Sequence, residues 1–256
     1  MMHRISGLAA IARDFDAMLI DQFGVIHDGQ KLYPHAQQVL HELHQLHIPV
    51  IIMTNSGKRA AANVQRIVKM GIAREYFVDC VSSGEVAFQS LQVKRAFLVG
   101  KAGEDYGFDP IVFTQQPDAA EVMLILGSDA PTTSLDDYRH KFESVSLPAV
   151  CCNPDQWMIT AQGLQPAPGA IAKIYEAMGN AVTWIGKPYP EIYQFALTKL
   201  NAPKRVLCIG DSAEHDVAGG RAAGLQTLLV QQGVSAGVAE AALAPQPDYV
   251  CEQFCW

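Results

Sequence analysis

The chain has 256 residues, is 49% hydrophobic and carries a formal net charge of −7. That supply of apolar side chains suits one large α/β domain, or a core with a smaller companion domain. An acidic balance with no dense basic tract excludes nucleic acid and anionic membrane surfaces as main partners, while leaving room for a small anion in a local pocket.

No apolar stretch approaches the roughly 20 residues of a membrane span. The N-terminal segment through Asp16 carries charges and no long apolar run, so no signal peptide is expected. Cys80, Cys151, Cys152, Cys208, Cys251 and Cys255 are scattered and form no C-x-x-C pair. They read as reduced thiols of a cytoplasmic protein, with Cys151–Cys152 the one adjacent pair, and not as a zinc site.

Ala17–Ile20 reads as a short buried strand, and Asp21 stands where it ends. Gly24 permits a tight turn just after. An aspartate there is ordinarily a turn residue or a cap, and it gains weight only if other strand ends deliver polar groups beside it. Residues 34–47 place Ala36, Val39, Leu40, Leu43 and Leu46 at helical spacing, with Pro34 near the start. His35, His41, His44 and His47 lie on the same segment. His41 and His44 can share a face, but no carboxylate pattern accompanies them, and metal binding is not expected there.

Pro49–Met53 is a second buried strand, ending in Thr54-Asn55-Ser56-Gly57, and a helix follows with Ala61, Val64, Ile67 and Val68 on one face. Strand, helix, strand, helix is the rhythm of a parallel sheet. Val78–Val81 is a third strand, after which Ser83 caps a helix near Glu85–Leu91.

From about Val93 to Val182 the alternation loosens. Ala96–Val99, Val122–Leu126 and Ala149–Cys152 read as strands, Leu135–Val145 and Gly169–Met178 as helices, and Thr114–Ala119 as a loop. Residues 93–182 are expected to form an inserted second domain. The first rhythm then resumes with a strand over Ala181–Ile185, ending in Gly186-Lys187-Pro188. A helix over Pro190–Leu200 turns Ile192, Tyr193, Ala196, Leu197 and Leu200 inward. Arg205–Ile209 is a strand ending in Gly210-Asp211-Ser212, followed by helical Val217–Ala223 and a strand over Gln226–Val230. The apolar tail, Pro247–Trp256, is expected to pack. No G-x-G-x-x-G follows the first strand, so a dinucleotide site is unsupported.

Four strand ends of one sheet would bring Asp21, Thr54-Asn55, Lys187 and Asp211 together. Asp21 and Asp211 suit a hard divalent cation such as Mg2+. Thr54 and the N–H groups opening the next helix suit a phosphoryl oxygen. Lys187 can neutralise developing negative charge, and Asp216 can orient it or support the metal shell.

In order, D-x-x-G-V at Asp21, T-N-S at Thr54, G-K-P-x-P at Lys187 and G-D-S-x-x-x-x-D at Asp211 and Asp216 resemble the haloacid dehalogenase-like hydrolase superfamily. The long insertion and Asn153-Pro154-Asp155 resemble its class IIA, C2-capped branch, which includes NagD-like and p-nitrophenyl-phosphatase-like enzymes. The resemblance runs from Leu19 to Val230. It implies a Rossmann-like, doubly wound parallel α/β core over residues 1–92 and 183–256, with an inserted α/β cap over 93–182. It further implies a Mg2+-dependent phosphatase acting on a small phosphorylated metabolite. Asp21 would be the nucleophile, forming an aspartyl-phosphate. Asp21, Asp211 and the Phe23 carbonyl would ligate Mg2+. Thr54, Asn55 and Lys187 would bind phosphate, and Lys187 would also stabilise the transferring group. Asn153–Asp155 would help define the substrate pocket. Cap domains of this kind can pair, so a homodimer is an option.

One position departs from the pattern. Phosphatases of this superfamily carry an acid/base Asp two residues after the nucleophile, and here Phe23 stands there. Its loss should cost roughly 10²–10⁴-fold in rate. His27 and Asp28, just downstream, are candidate replacements. The expectation is a phosphatase that is slow or selective for good leaving groups. The alternatives are a non-catalytic phosphometabolite-binding or regulatory protein, and carbon–halogen cleavage, whose enzymes resemble this chain in an aromatic residue at that position but need no cation.

Overall fold

In the computed structural model, which describes residues 2–160 and 162–256, the chain runs in order through β1 (His3–Arg4), β2 (Ala17–Asp21), α1 (Ala36–Gln45), β3 (Val50–Thr54), α2 (Ala60–Lys69), β4 (Asp79–Ser82) and α3 (Ser83–Ser90). It continues through β5 (Arg95–Val99), β6 (Val112–Thr114), β7 (Val122–Ile125), α4 (Leu135–Phe142), β8 (Ala149–Cys151), β9 (Trp157–Thr160), β10 (Gly163–Pro166), α5 (Pro168–Ala177) and β11 (Val182–Trp184). The last elements are α6 (Pro190–Thr198), β12 (Val206–Gly210), α7 (Ala218–Ala222), β13 (Gln226–Val230) and β14 (Tyr249–Cys251). The protein is α/β. It divides into one unit holding the chain up to Thr54, Asn63–Val81 and Lys187–Trp256, and another holding Asn55–Ala62 and Ser82–Gly186.

The first unit is built on a seven-stranded sheet in the order β1-β14-β13-β12-β2-β3-β4, with parallel pairing from β1 across to β3. Every residue of β2, β3 and β12 is buried. Such strands are apolar throughout because both faces are covered. Ala36, Val39, Leu40 and Leu43 of α1 join Met18, Ile20, Val50 and Ile52 in one core. In α2 the buried side chains are Asn63 and Ile67, while Ala61 and Val68 are exposed. Both exposed residues lie about 100° or more around the helix from Ile67, outside its narrow inward stripe. His41 and His44 pack on the Tyr76 ring, with centroids 5.4 and 5.5 Å away. The tail packs as expected, through β14 and the buried Phe254.

The second unit carries a five-stranded parallel sheet, β11-β8-β7-β5-β6, and a separate antiparallel hairpin of β9 and β10. Phe97, Met123, Phe142, Ile171 and Tyr175 form its core. The hairpin was not legible, because Gln165 and Pro166 break any strand pattern and Pro is tolerated only at an edge; β6 was not, because it is three residues long with Val112 exposed. The residue capping α3 is Ser82, which accepts from the Glu85 N–H at 3.1 Å, and not Ser83. All six cysteines are free thiols. Among the described residues no helix is long and apolar enough to cross a membrane.

Candidate active site

From β2 the first unit's chain winds outward to β3 and β4, and from β12 it winds the opposite way to β13 and β14. Open α/β sheets leave a crevice at such a reversal, beyond the carboxyl ends of the strands. Ile20 pairs with Ile209, so Asp21 closes β2 and Asp211 follows directly on the end of β12. Thr54 closes β3, whose Met53 pairs with Asp21. Lys187 follows β11, which is an edge strand of the five-stranded sheet and not, as expected, a fourth strand of this one; its ammonium donates to Asp21 Oδ1 at 2.5 Å and to Asp216 Oδ1 at 2.7 Å. Asp216 sits on a π-helical stretch, Ala213–Val217, and its Oδ2 accepts from the Ser212 N–H at 3.1 Å. Such π-turns recur at functional sites. Asp21, Thr54, Lys187, Asp211 and Asp216 are all buried.

Ligand atoms of Asp21, Asp211 and Asp216 lie within 4.8 Å of one another. Burial pushes the Asp21 carboxyl well above the usual range; Lys187 opposes this, and the two neighbouring aspartates add to it. Burial and then Asp216 raise Asp211 to about 7, against the Val234 amide that donates to its Oδ2 at 2.7 Å. Burial disfavours the Lys187 ammonium, but Asp21 and Asp216 outweigh that and hold it above its ordinary value. One ammonium therefore serves three crowded carboxylates, and the excess negative charge calls for a further cation. An all-oxygen donor set suits a hard divalent ion. Both oxygens of Asp216 are engaged, so Asp21 and Asp211 are the pair placed to hold it. The surroundings fit: Gly24 (φ +88) and Gly233 (φ +57) approach so closely that a side-chain carbon on either would overlap the Asp211 carboxylate. Gly233, Val234 and Ser235, whose hydroxyl donates to the Asp211 carbonyl at 2.5 Å, escaped the sequence reading because only a lone glycine after β13 marks them.

This charge excess has a measurable sign. The folded-state pKa of Asp211 lies above its ordinary value of 3.8, so the folded protein binds more protons than the unfolded chain between the two values. Stability is then lost as pH rises through about 4 to 7, by on the order of 1–4 kcal/mol. In a chelator the thermal midpoint should fall over that window. Millimolar Mg2+ should restore it, and Asp211→Asn should make the profile shallower, with Asp21, whose carboxyl burial also raises, supplying the rest; a flat profile in the native protein would contradict the charge excess.

The Phe23 ring is partly exposed and stands edge-on to His27, with centroids 5.8 Å apart. Both downstream candidates are engaged within their own turn. His27 is buried, and burial first, then Arg66, pushes its pKa down to about 4, so the ring is neutral. The Gly29 N–H donates to its Nδ1 at 2.9 Å, which leaves the proton on Nε2, 3.0 Å from the Gln22 carboxamide. A carboxamide turned to offer Oε1 there also pairs the one buried side-chain atom that lacks a partner among the described residues, Gln22 Oε1. Asp28 accepts from the Lys31 and Gln30 amides, which hold its carboxyl below the usual range, so it is ionised and fixed in a turn.

Asn55, Asn153 and Asp155 belong to the second unit. Asn55 Nδ2 donates to Asp155 Oδ1 at 2.8 Å, and Asn153 Oδ1 accepts from the Asp155 N–H at 2.9 Å. A residue expected to bind phosphate and one expected to read substrate are thus bonded to each other.

Two family models match the chain. Residues 18–109 fit a haloacid dehalogenase-like hydrolase family and residues 184–256 a HAD-hydrolase-like family. The ribonucleotide monophosphatase NagD of Escherichia coli (strain K12) is 28% identical over 227 residues, covering 85% of this chain and 88% of its own. The dihydroxyacetone phosphatase of Corynebacterium glutamicum (strain R) is 27% identical over 226 residues, covering 85% and 81%. The crystal structure of a haloacid dehalogenase-like hydrolase from Brucella suis 1330 superposes with a TM-score of 0.87 at 25% identity, over 98% of this chain and 99% of that one. With matches at both ends of the chain and relatives spanning nearly all of it, the protein belongs to the haloacid dehalogenase-like hydrolases of class IIA and is a phosphatase-like hydrolase.

Proposed function

We propose that this protein is a Mg2+-dependent phosphohydrolase of small phosphorylated metabolites that favours substrates whose leaving group departs without a proton. The observation that carries the reading is the Lys187 ammonium bridging Asp21 and Asp216 beside Asp211. Relatives named for a ribonucleotide and for dihydroxyacetone phosphate support small phosphate esters as the substrate class.

Asp21 attacks phosphorus. The Asp21 oxygen–phosphorus bond forms as the bond to the leaving oxygen breaks, and the leaving group departs as an anion. Lys187 holds Asp21 in place and neutralises charge on the transferring group. Thr54 binds a phosphoryl oxygen through its hydroxyl, and Asn55, the next residue, through its main-chain N–H. The carboxylates of Asp21 and Asp211 and the Phe23 carbonyl would hold Mg2+, which supplies further charge neutralisation when bound. Water then cleaves the aspartyl-phosphate and gives its proton to solvent, since the Phe23 ring offers no base.

An acyl or aryl phosphate needs little protonation on departure, whereas an alkyl phosphate needs it throughout. Acetyl phosphate and p-nitrophenyl phosphate should therefore turn over at least about 10²-fold faster than glycerol 3-phosphate. Equal rates would overturn the leaving-group preference. Mg2+-dependent binding of phosphate with no turnover of any ester would favour a binding or regulatory role.

A further inference from the structure

Several segments of the second unit meet at the Asn55 carboxamide. Its Nδ2 donates to Asp155 Oδ1 at 2.8 Å, and its Oδ1 accepts from the Ser83 hydroxyl, in the first turn of α3, at 3.4 Å. Gly186 (φ +129) packs so closely that a side-chain carbon there would overlap the Ser83 hydroxyl and crowd Pro154 and Asn55 Oδ1. Asp155 is itself held firmly. Its N–H donates to Asn153 Oδ1, and its carbonyl accepts from the Gly169 N–H at 2.9 Å in α5. Asp155 Oδ1, N–H and carbonyl are thus engaged by Asn55, Asn153 and the start of α5.

Chain connectivity gives this knot its consequence. Thr54 directly precedes Asn55, and Lys187 directly follows Gly186. A carboxamide tied at both ends holds its own peptide in one orientation, and the close approach of Gly186 to the same atoms holds the other peptide. A misplacement of 1 Å at a reacting group can cost about 10²-fold in rate.

We propose that Asp155 is a positioning residue, acting through the Asn55 carboxamide to set the main chain at Thr54–Ser56 and Gly186–Lys187, and that it does not read the substrate's leaving group. The proposal rests on the phosphatase reading above. Acetyl phosphate is the decisive probe, because its leaving group is too small to offer a specificity residue anything to bind. Asp155→Ala should lower kcat on acetyl phosphate and on p-nitrophenyl phosphate by the same factor, about 10–10²-fold, with KM little changed. Asp155→Asn, whose amide oxygen still accepts the Asn55 N–H, should recover most of the loss. A variant unimpaired on acetyl phosphate but impaired on a bulkier ester would make Asp155 a substrate reader and overturn the proposal. Hydrogen exchange supplies a readout without turnover. Peptides covering residues 54–58 and 185–188 should exchange faster in Asp155→Ala and not in Asp155→Asn; unchanged exchange in Asp155→Ala also overturns the proposal. A wild-type protein inert on every ester would fail the phosphatase reading and the catalytic half of this one, while the exchange data still decide the clamp.

Discussion

Asp21→Asn is expected to lower phosphate release by about 10⁴–10⁶-fold while leaving the protein folded. The amide is isosteric with the carboxylate but is no nucleophile, so the step that forms the Asp21–phosphorus bond is lost. Stability should move the other way. Asp21 is one of three buried carboxylates that share a single ammonium, and burial already drives its carboxyl toward the neutral form. Neutralising it brings the cluster nearer to charge balance, and Lys187 keeps its bond to Asp216. The metal-free variant should therefore melt no lower than the native protein, the pattern seen where a site is tuned for function against stability. Acid-quenched mass spectrometry adds a direct test. The native protein should carry a phosphoryl adduct on Asp21 after exposure to acetyl phosphate, and the variant should carry none. Full activity in the variant would place the nucleophile elsewhere.

The fold was legible where it is apolar and regular. β2, β3 and β12 stand out because strands covered on both faces are apolar throughout, and the polar residues at their ends are then conspicuous. That is why Asp21, Thr54 and Asp211 could be picked out, and their ordered spacing drew Lys187 and Asp216 in after them. The groups behind Asp211 were not legible. Gly233 matters through close approach, and Val234 and Ser235 through a main-chain N–H and a hydroxyl, which no periodicity marks. His27 and Asp28 looked available as acids by proximity in sequence. Only coordinates show one ring with both nitrogens engaged and one carboxylate closing a turn. Asn55 misled for a related reason: an amide beside a phosphate-binding threonine suggests a ligand contact, while its partner lies 100 residues on.

Phe23→Asp is expected to raise turnover of an alkyl phosphate by about 10²–10⁴-fold, the range a positioned acid/base supplies. The Phe23 ring is 39% exposed and rests against His27 and over Gly29, so replacing it opens no core cavity. The new carboxyl must be protonated when the leaving oxygen departs, so the alkyl reaction should acquire a basic limb in its pH profile that the acyl reaction lacks. The preference for acetyl phosphate over glycerol 3-phosphate should shrink, because only the alkyl group gains from the acid. The same carboxyl can later activate water, so the phosphoryl adduct on Asp21 should no longer accumulate. The variant also adds a fourth acid near a cluster that already holds one cation for three, so its metal-free form should melt lower than the native protein. Phe23→Asp and Asp21→Asn thus move charge in opposite directions and should shift activity and metal-free stability in opposite senses. If Phe23→Asp removes the adduct yet leaves the alkyl rate unchanged, transfer to Asp21 and not hydrolysis of the intermediate limits the alkyl reaction, and the new carboxyl acts as base without acting as acid. If neither changes, Phe23 does not occupy the acid's place.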